Sequence, residues 1–354
     1  MTALLVVAIA ALVVLIAMAL HYRGALRRYG VEVPYGLVER LPTPDGACIE
    51  LRRLPGDVVS SLPPVLCVHG IAIDHRNNDM LETLSLARSL RARGRDVWLL
   101  TLRSGIESPS FRHVRRVRFD AMVRHDVPMG VEEVRRRTGA SAIDYVGFSM
   151  GGMLLYAALG RTVEPSAIRR VVILGSPGKM IPPLRVIGTI ARVPRWLVPG
   201  APLRIGARMI AFLAEWLHTP LHTLVYNRRN VARGVTPAAL MTVRDIAQPL
   251  MADFAGFLAS GGVVRFEGAP VLEGLAHVRS PVRFFAGAGD RIAPPAAVRA
   301  AYDAWGASET GVDKEMIVLA AGTHDHDYGH GDLAIGQNLA RDVFEPAVAF
   351  LDAA

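Results

Sequence analysis

The sequence contains almost no lysine. Only Lys179 and Lys314 are lysines among its 40 basic residues, so the net charge of +8 is carried by arginine. These arginines are scattered, and no zinc-finger, RNP or helix-turn-helix pattern accompanies them. The composition therefore argues against nucleic acid as a partner and favours a membrane surface.

Cysteine is equally scarce. Cys48 and Cys67 show neither metal-ligand nor Cys-x-x-Cys spacing, and Cys67 lies within the apolar run VLCVHG. A buried apolar cysteine behaves as a small hydrophobic side chain. We therefore expect no disulfide, no metal and no cofactor from the cysteines, and their number does not fix the compartment.

Charge is absent from the N-terminus. Ala3 to Leu20 is an apolar run of 18 residues, which as a helix is roughly 27 Å long and just spans a bilayer core. We expect a single-pass anchor over residues 1–22. The arginines Arg23, Arg27 and Arg28 follow the run, so the positive-inside rule places the main domain in the cytoplasm. Ala17-Met18-Ala19 resembles a cleavage site, so export after removal of a signal peptide is the alternative.

Apolar strand patterns and helical patterns alternate after the anchor. This alternation predicts an α/β fold, a mostly parallel sheet with helices on both faces. We assign 31–178 and 272–354 to this core. Between them, 179–271 shows amphipathic helical pieces cut by prolines, which predicts a helical cap over the carboxyl ends of the strands, where ligands of open α/β sheets bind.

A G-x-S-x-G sequence lies between a predicted strand and a predicted helix, at Gly147-Phe148-Ser149-Met150-Gly151. In this context a tight turn lifts the serine hydroxyl above the sheet, and the turn leaves no room for side chains at Gly147 and Gly151. Ser149 is the candidate nucleophile. The N–H of Met150 is a candidate oxyanion donor.

Three further loops supply the remaining candidates. In the loop Val68-His69-Gly70-Ile71, the N–H of Ile71 is the expected second oxyanion donor, and His69 is expected to tie the loop by hydrogen bonds. Asp290 ends a late strand at the edge of the sheet that carries Ser149, although an ordinary turn aspartate is the alternative. Its expected task is to orient a histidine and stabilise its imidazolium form.

The base must come from the stretch THDHDYGHGD, Thr323 to Asp332, where His324, His326 and His330 are all candidates. The density of histidine and aspartate also suggests the alternative of a metal site, with His324, His326 and a neighbouring aspartate as ligands. The spacing matches no established metal motif, and a solvated polar loop explains His324 and His326 equally well.

The sequences HG, GFSMGG, GAGDRIAPP and YGHGDLAIG resemble, in this order and spacing, the α/β-hydrolase superfamily over roughly residues 50–352. The most similar branch is that of acid lipases and polyhydroxyalkanoate-synthase-like hydrolases. FDAMVRHDVPMGVEEVRRRTG resembles the helix that precedes the serine turn in those lipases. The resemblance implies that His330, in an H-x-D-x-x-x-G sequence, is the base. The synthases have cysteine where this chain has Ser149, so hydrolysis is expected rather than polymer synthesis.

No acidic residue occurs between Lys179 and Ala214, where arginines alternate with apolar residues; they are Arg185, Arg192, Arg195, Arg204 and Arg208. A basic amphipathic surface of this kind suits lipid headgroups, whereas a core-facing stripe with solvated arginines is the alternative.

Together these features predict a membrane-anchored serine hydrolase that cleaves lipophilic carboxylic esters through an acyl-enzyme, without metal or cofactor. An acyltransferase with the same three residues is the alternative. A non-catalytic membrane-associated binding protein is less favoured, because every element of the expected site is present.

Overall fold

A computed structural model describes residues 2–55, 61–107, 110–182, 194–198, 200–216 and 220–353. Its centre is an eight-stranded sheet of order β1-β2-β4-β3-β5-β6-β9-β10. The strands are β1 (Leu37–Pro42), β2 (Cys48–Arg53), β3 (Val65–Val68), β4 (Val97–Thr101), β5 (Ile143–Phe148), β6 (Ile168–Leu174), β9 (Val282–Gly287) and β10 (Lys314–Leu319). Strands β7 (Arg265–Phe266) and β8 (Ala269–Pro270) form a separate small hairpin.

The described residues also form helices on both faces of the sheet and in the segment between β6 and β9. They are α1 (Thr2–Tyr29), α2 (Leu86–Ala92), α3 (Phe111–Arg115), α4 (Phe119–Ala121), α5 (Val127–Thr138), α6 (Met150–Ala158), α7 (Leu203–Ile210), α8 (Pro220–Val225), α9 (Val235–Met241), α10 (Gln248–Ala259), α11 (Pro295–Ala304), α12 (Asp332–Ile335) and α13 (Glu345–Asp352). The prediction of a mostly parallel sheet wound with helices is therefore confirmed.

The pairing of the strands follows from their side chains. Strands β3, β4 and β5 are buried at every position and pair in parallel, as expected for strands covered by helices on both faces. Strand β1 instead alternates between half-buried and exposed residues and pairs antiparallel with β2 at the edge. Two hydrophobic cores result, one on each face of the sheet. Both cysteines are free, and Cys67 is buried in β3.

The segment between β6 and β9 contains helices α7 to α10 and the small hairpin. Ion pairs attach it to the core; in one of them Arg118 Nη2, just before α4, donates to Asp253 Oδ1 of α10 over 2.6 Å. Two of the arginines singled out in the sequence, Arg185 and Arg192, lie outside the described residues.

Helix α1 is longer than the apolar run that predicts it. Leu5–Tyr29 is long and apolar enough to cross a membrane, and its first part is exposed. Its last part packs on the segment between β6 and β9: Ala25 is buried beside Ala211 and Met241, and His21 Nε2 lies 2.9 Å from Met209 O. The helix is therefore joined to the body of the protein rather than separated from it by a linker.

Candidate active site

Ser149 lies at a sharp turn between β5 and α6. Its backbone has φ 51° and ψ −116°, a conformation that residues with a side chain rarely adopt. A Cβ atom at Gly147 would lie 2.7 Å from Gly152 N, and one at Gly151 would lie 2.4 Å from Val68 O. Both glycines are therefore required by the close approach of backbone on either side of the serine.

His330 joins Ser149 to Asp290 by hydrogen bonds. His330 Nε2 lies 2.9 Å from Ser149 Oγ, and His330 Nδ1 lies 2.7 Å from Asp290 Oδ2. A proton on Nδ1 that is donated to the carboxylate leaves Nε2 free to accept the serine proton. The backbone N–H groups of Ile292 and Ala293 donate to Asp290 Oδ1 over 2.8 and 2.7 Å and fix the carboxylate.

These three side chains are buried under close packing. Ser149, Asp290 and His330 are each less than a tenth exposed. The Phe148 ring centroid lies 5.2 Å from that of His330, and a Cβ atom at Gly175, where φ is 57°, would lie 3.3 Å from His330 Nδ1. Phe148 and Gly175 thus set the place of the imidazole. The sequence carried no signal for Gly175, because its importance depends on contact with a distant loop.

The other two histidines of the THDHDYGHGD stretch do not reach Ser149 by any hydrogen bond. His324 Nδ1 lies 2.9 Å from Thr323 Oγ1, whose hydroxyl donates to Ala320 O over 3.1 Å. The aspartate between them, Asp325, accepts from Asn338 Nδ2 and from Arg341. Among the residues that the structure describes, no cluster of three or more histidine, cysteine or acidic side chains has the arrangement of a metal site.

Asp332, two residues after His330, fastens this loop to the segment between β6 and β9. Its carboxylate accepts from Gly329 N over 2.7 Å, from Asn227 N over 3.0 Å and from Asn230 Nδ2 over 3.0 Å. Burial raises the pKa of Asp332 to about 6. The H-x-D spacing in the sequence could have indicated this role, whereas Asn227 and Asn230 lie about 100 residues away and carried no signal.

The loop that begins at His69 runs beside the serine. A Cβ atom at Gly70 would lie 3.0 Å from Ser149 Cβ and 2.9 Å from the Phe148 ring. The N–H of Leu102 donates to His69 Nε2 over 3.0 Å, so Nε2 carries no proton and Nδ1 donates to Gly70 O over 2.7 Å. Burial lowers the pKa of His69 to about 4, so the ring is neutral near pH 7.

The two expected oxyanion donors belong to the start of helix α6 and to the loop that runs beside Ser149. Met150 begins helix α6, so its N–H is one of the groups that a helix leaves without an internal partner. The N–H of Ile71 belongs to the same peptide group as Gly70 O, which His69 holds. Within the described part of the chain, no backbone acceptor is assigned to either N–H. Their role as oxyanion donors stays a prediction.

Part of the sequence is similar to a curated lipase. The chain is 29% identical to human gastric triacylglycerol lipase over an alignment of 142 residues, which covers 36% of this chain and 35% of the lipase. The chain thus matches about a third of the length of this curated relative.

Solved structures share the fold over nearly the whole chain. A thermophilic esterase from Thermogutta terrifontis superimposes with a TM-score of 0.55 at 17% identity, covering 89% of this chain and 98% of the esterase. A bacterial membrane phospholipase A gives a TM-score of 0.55 at 16% identity, covering 99% and 96%. The family model for the alpha/beta hydrolase fold matches residues 63–330. The chain belongs to the alpha/beta hydrolase fold family.

Proposed function

We propose that the protein is a serine hydrolase that cleaves carboxylic esters through an acyl-enzyme on Ser149. The observation that carries this proposal is the contact of His330 with both Ser149 Oγ, at 2.9 Å, and Asp290 Oδ2, at 2.7 Å. A neutral imidazole with its Nδ1 proton on a carboxylate is the arrangement that general-base catalysis by histidine requires.

The reaction follows from this arrangement in two halves. Ser149 Oγ attacks the ester carbonyl carbon while its proton passes to His330 Nε2, and the N–H groups of Ile71 and Met150 bind the oxyanion. His330 then gives the proton to the leaving alcohol, and the acyl group stays on Ser149. In the second half His330 takes a proton from water, the hydroxide attacks the acyl carbon, and the proton returns to Ser149 as the acid leaves. Asp290 remains ionised and stabilises the imidazolium form of His330.

The proposal of a lipophilic substrate and a bilayer partner is supported by helix α7, which packs next to α1 and exposes apolar residues while it buries an arginine. In α7 the apolar residues Leu203, Ile205 and Ile210 face outward, with Ile205 56% exposed, whereas Arg208 is only 7% exposed. Phe212 follows the helix, is also exposed, and packs its ring against His21 of α1. An apolar outer face that continues an apolar helix suits the boundary between headgroups and acyl chains.

The expected headgroup contact of the arginines is revised by this geometry. Arg204 and Arg208 turn inward and bind Glu107 over 2.9 and 3.0 Å. We therefore assign the bilayer contact to the apolar residues of α7 and not to its arginines. The arginines after the apolar part of α1 support a cytoplasmic main domain, which a C-terminal reporter fusion would test.

Labelling with a fluorophosphonate probe tests the nucleophile. The wild-type protein should be labelled, and Ser149→Ala should not, because the probe reacts with an activated serine hydroxyl. Equal labelling of both proteins, or no labelling of either, contradicts the proposal. The absence of labelling in both would favour a binding protein.

Product analysis with a competing alcohol separates hydrolysis from acyl transfer. Hydrolysis of p-nitrophenyl esters of increasing chain length tests the preference for lipophilic substrates. A preference for acetate would contradict it.

A further inference from the structure

Five charged residues connect the loop beside Ser149 with helix α1. We call them the Glu107 cluster; they are Asp74, Glu107, Arg204, Arg208 and Arg244. They come from the core loops after β3 and β4, from α7 and from the segment after α9. The chemistry proposed above does not use them, so their arrangement requires a separate explanation.

Arg244 holds the loop immediately after Ile71. Its backbone N–H donates to Ala72 O over 2.8 Å, and its guanidinium donates to Asp74 Oδ2 from Nε over 2.9 Å and from Nη2 over 2.7 Å. Ala72 has φ 60°, in the left-handed region that residues with a Cβ atom rarely occupy. Such a conformation persists only when surrounding groups hold it. Arg244 supplies that restraint from the side of the segment after α9.

Hydrogen bonds restrain the loop before and after Ile71, and only the first of them acts on the peptide group that carries the Ile71 N–H. On one side His69 Nδ1 donates to Gly70 O, and on the other Arg244 N donates to Ala72 O. The direction of an oxyanion donor decides how well it stabilises the tetrahedral intermediate, since hydrogen bonds weaken steeply with misalignment. Displacement of either restraint would turn the N–H of Ile71 away from the oxyanion.

The cluster continues from Arg244 to the membrane helix. Glu107 Oε1 accepts from Arg244 Nη1 and, over 3.0 Å, from Arg208 Nη2. Arg208 Nη1 in turn donates to the hydroxyl of Tyr22 in α1 over 2.6 Å. Burial opposes ionisation of Glu107, but the three arginines hold its pKa below the usual value. The charges that join Tyr22 to Ala72 are thus present at neutral pH.

We propose that Arg244 is a positioning residue for the oxyanion donor Ile71. We further propose that the packing of helix α1 on the body of the protein affects Arg244 through the contacts of Tyr22, Arg208 and Glu107. This inference rests on the proposed hydrolase function. A shift of α1 relative to α7 would change the Tyr22–Arg208 contact, release Glu107 and loosen Arg244. The position of the helix in the bilayer would then set the turnover rate, because a loosened loop would bind the transition state less tightly than the loop seen here.

The test uses the full-length protein in lipid vesicles. Arg244→Gln removes the guanidinium bonds to Asp74 and Glu107, which hold the segment that carries the Arg244 N–H against the loop, and leaves that backbone bond to Ala72 O itself possible. Asp74 keeps its bonds to Arg76 over 2.7 to 3.1 Å. We expect kcat for a p-nitrophenyl ester to fall by about tenfold to hundredfold while KM changes by less than about twofold. Affinity for an alkyl trifluoromethyl ketone, which forms a tetrahedral adduct with the serine, should fall by the same factor as kcat/KM.

Two further variants make the coupling measurable. Tyr22→Phe removes one hydroxyl, and we expect a kcat loss of about threefold. The variant that combines Tyr22→Phe with Arg244→Gln should lose no more kcat than Arg244→Gln alone, because both substitutions act on the same chain of contacts. Arg118→Gln is the matched control: it breaks a different ion pair between the same segment and the core, 2.6 Å to Asp253, and should leave kcat and ketone affinity unchanged.

The outcomes separate the inference from the function on which it rests. If wild type neither turns over nor is labelled at Ser149, the proposed function fails. If wild type turns over and Arg244→Gln keeps its kcat, or loses no more than Arg118→Gln, the inference is wrong. Additive losses in the double variant overturn the link to α1. Should Arg244→Gln not fold, as judged by its melting temperature, Arg244→Lys and Tyr22→Phe carry the same comparison.

Discussion

Ser149 occupies a strained backbone conformation that its neighbours impose. Conformations of this kind cost on the order of 1–3 kcal/mol and persist where surrounding structure fixes them. Here Ser149 N donates to Leu174 O over 2.8 Å, and Gly147 and Gly151 allow the backbone of α6 and β3 to approach the turn. The turn directs the hydroxyl to His330. The proposed chemistry at Ser149 therefore depends on which histidine is the base.

The three histidines of the Thr323–Asp332 stretch should differ sharply on substitution. His330→Ala should reduce kcat by about 10⁴-fold or more, because it removes the imidazole that contacts Ser149 Oγ and accepts its proton. His324→Ala and His326→Ala should retain activity within about twofold. Steady-state kinetics on one ester decide the matter. A comparable loss in His324→Ala or His326→Ala would restore the metal hypothesis.

His69 should make the protein less stable in mild acid. Its native pKa is about 4, below the usual value of about 6.5, so between these values the unfolded chain binds a proton that the native protein excludes. The free energy of unfolding should therefore fall from pH 6.5 to pH 4, by on the order of 3 kcal/mol from this group.

Two buried carboxylates act in the opposite direction, since burial raises the pKa of Asp126 and of Asp332 to about 6. The informative quantity is therefore the difference in slope between wild type and His69→Gln in urea unfolding. The slope of the unfolding free energy against pH should be more positive in wild type than in His69→Gln, by up to about 1.4 kcal/mol per pH unit. His277→Gln, at an exposed histidine, serves as the control. Equal slopes in wild type and His69→Gln would show that His69 does not titrate in this way.

Helix α7 shows how far its surroundings override an amphipathic pattern. The sequence predicts that its arginines face outward, yet Glu107 draws Arg204 and Arg208 inward and leaves Ile205 and Ile210 exposed. The reason is a carboxylate about 100 residues earlier in the chain, which pattern analysis within the helix cannot detect. The same pattern of residues therefore supports a different membrane contact.

Substitutions on this face of α7 should separate lipid from soluble substrates. In vesicles, Ile205→Glu with Ile210→Glu should lower turnover of an embedded acyl ester by about tenfold, because charged groups do not enter the acyl region. Hydrolysis of a short soluble ester should be unchanged. Val38→Glu, at an exposed apolar residue of β1, is the matched control. An equal loss with the soluble ester would mean that the substitutions damage the site itself.

The whole molecule combines a predictable core with contacts that the sequence does not show. The sheet, the serine turn with Ser149 and the place of Asp290 could be predicted, because each depends on short local patterns at strand ends. Those patterns left three histidines open as the base, and only the resemblance to lipases singled out His330. The attachments that position them could not. Asn230 holds Asp332, Arg244 holds Ala72, and Tyr22 meets Arg208 across 186 positions of sequence. Such contacts arise only when the segment between β6 and β9 folds against the core and α1.

In the proposed reaction the acyl group of the substrate is transferred to Ser149. The most direct measurement is peptide mass spectrometry of the full-length protein, quenched in acid during turnover of a p-nitrophenyl ester. We expect the acyl mass on the peptide that contains Ser149, and its absence in Ser149→Ala, which should also lack turnover. An acyl group on another residue, or continued turnover by Ser149→Ala, would contradict it.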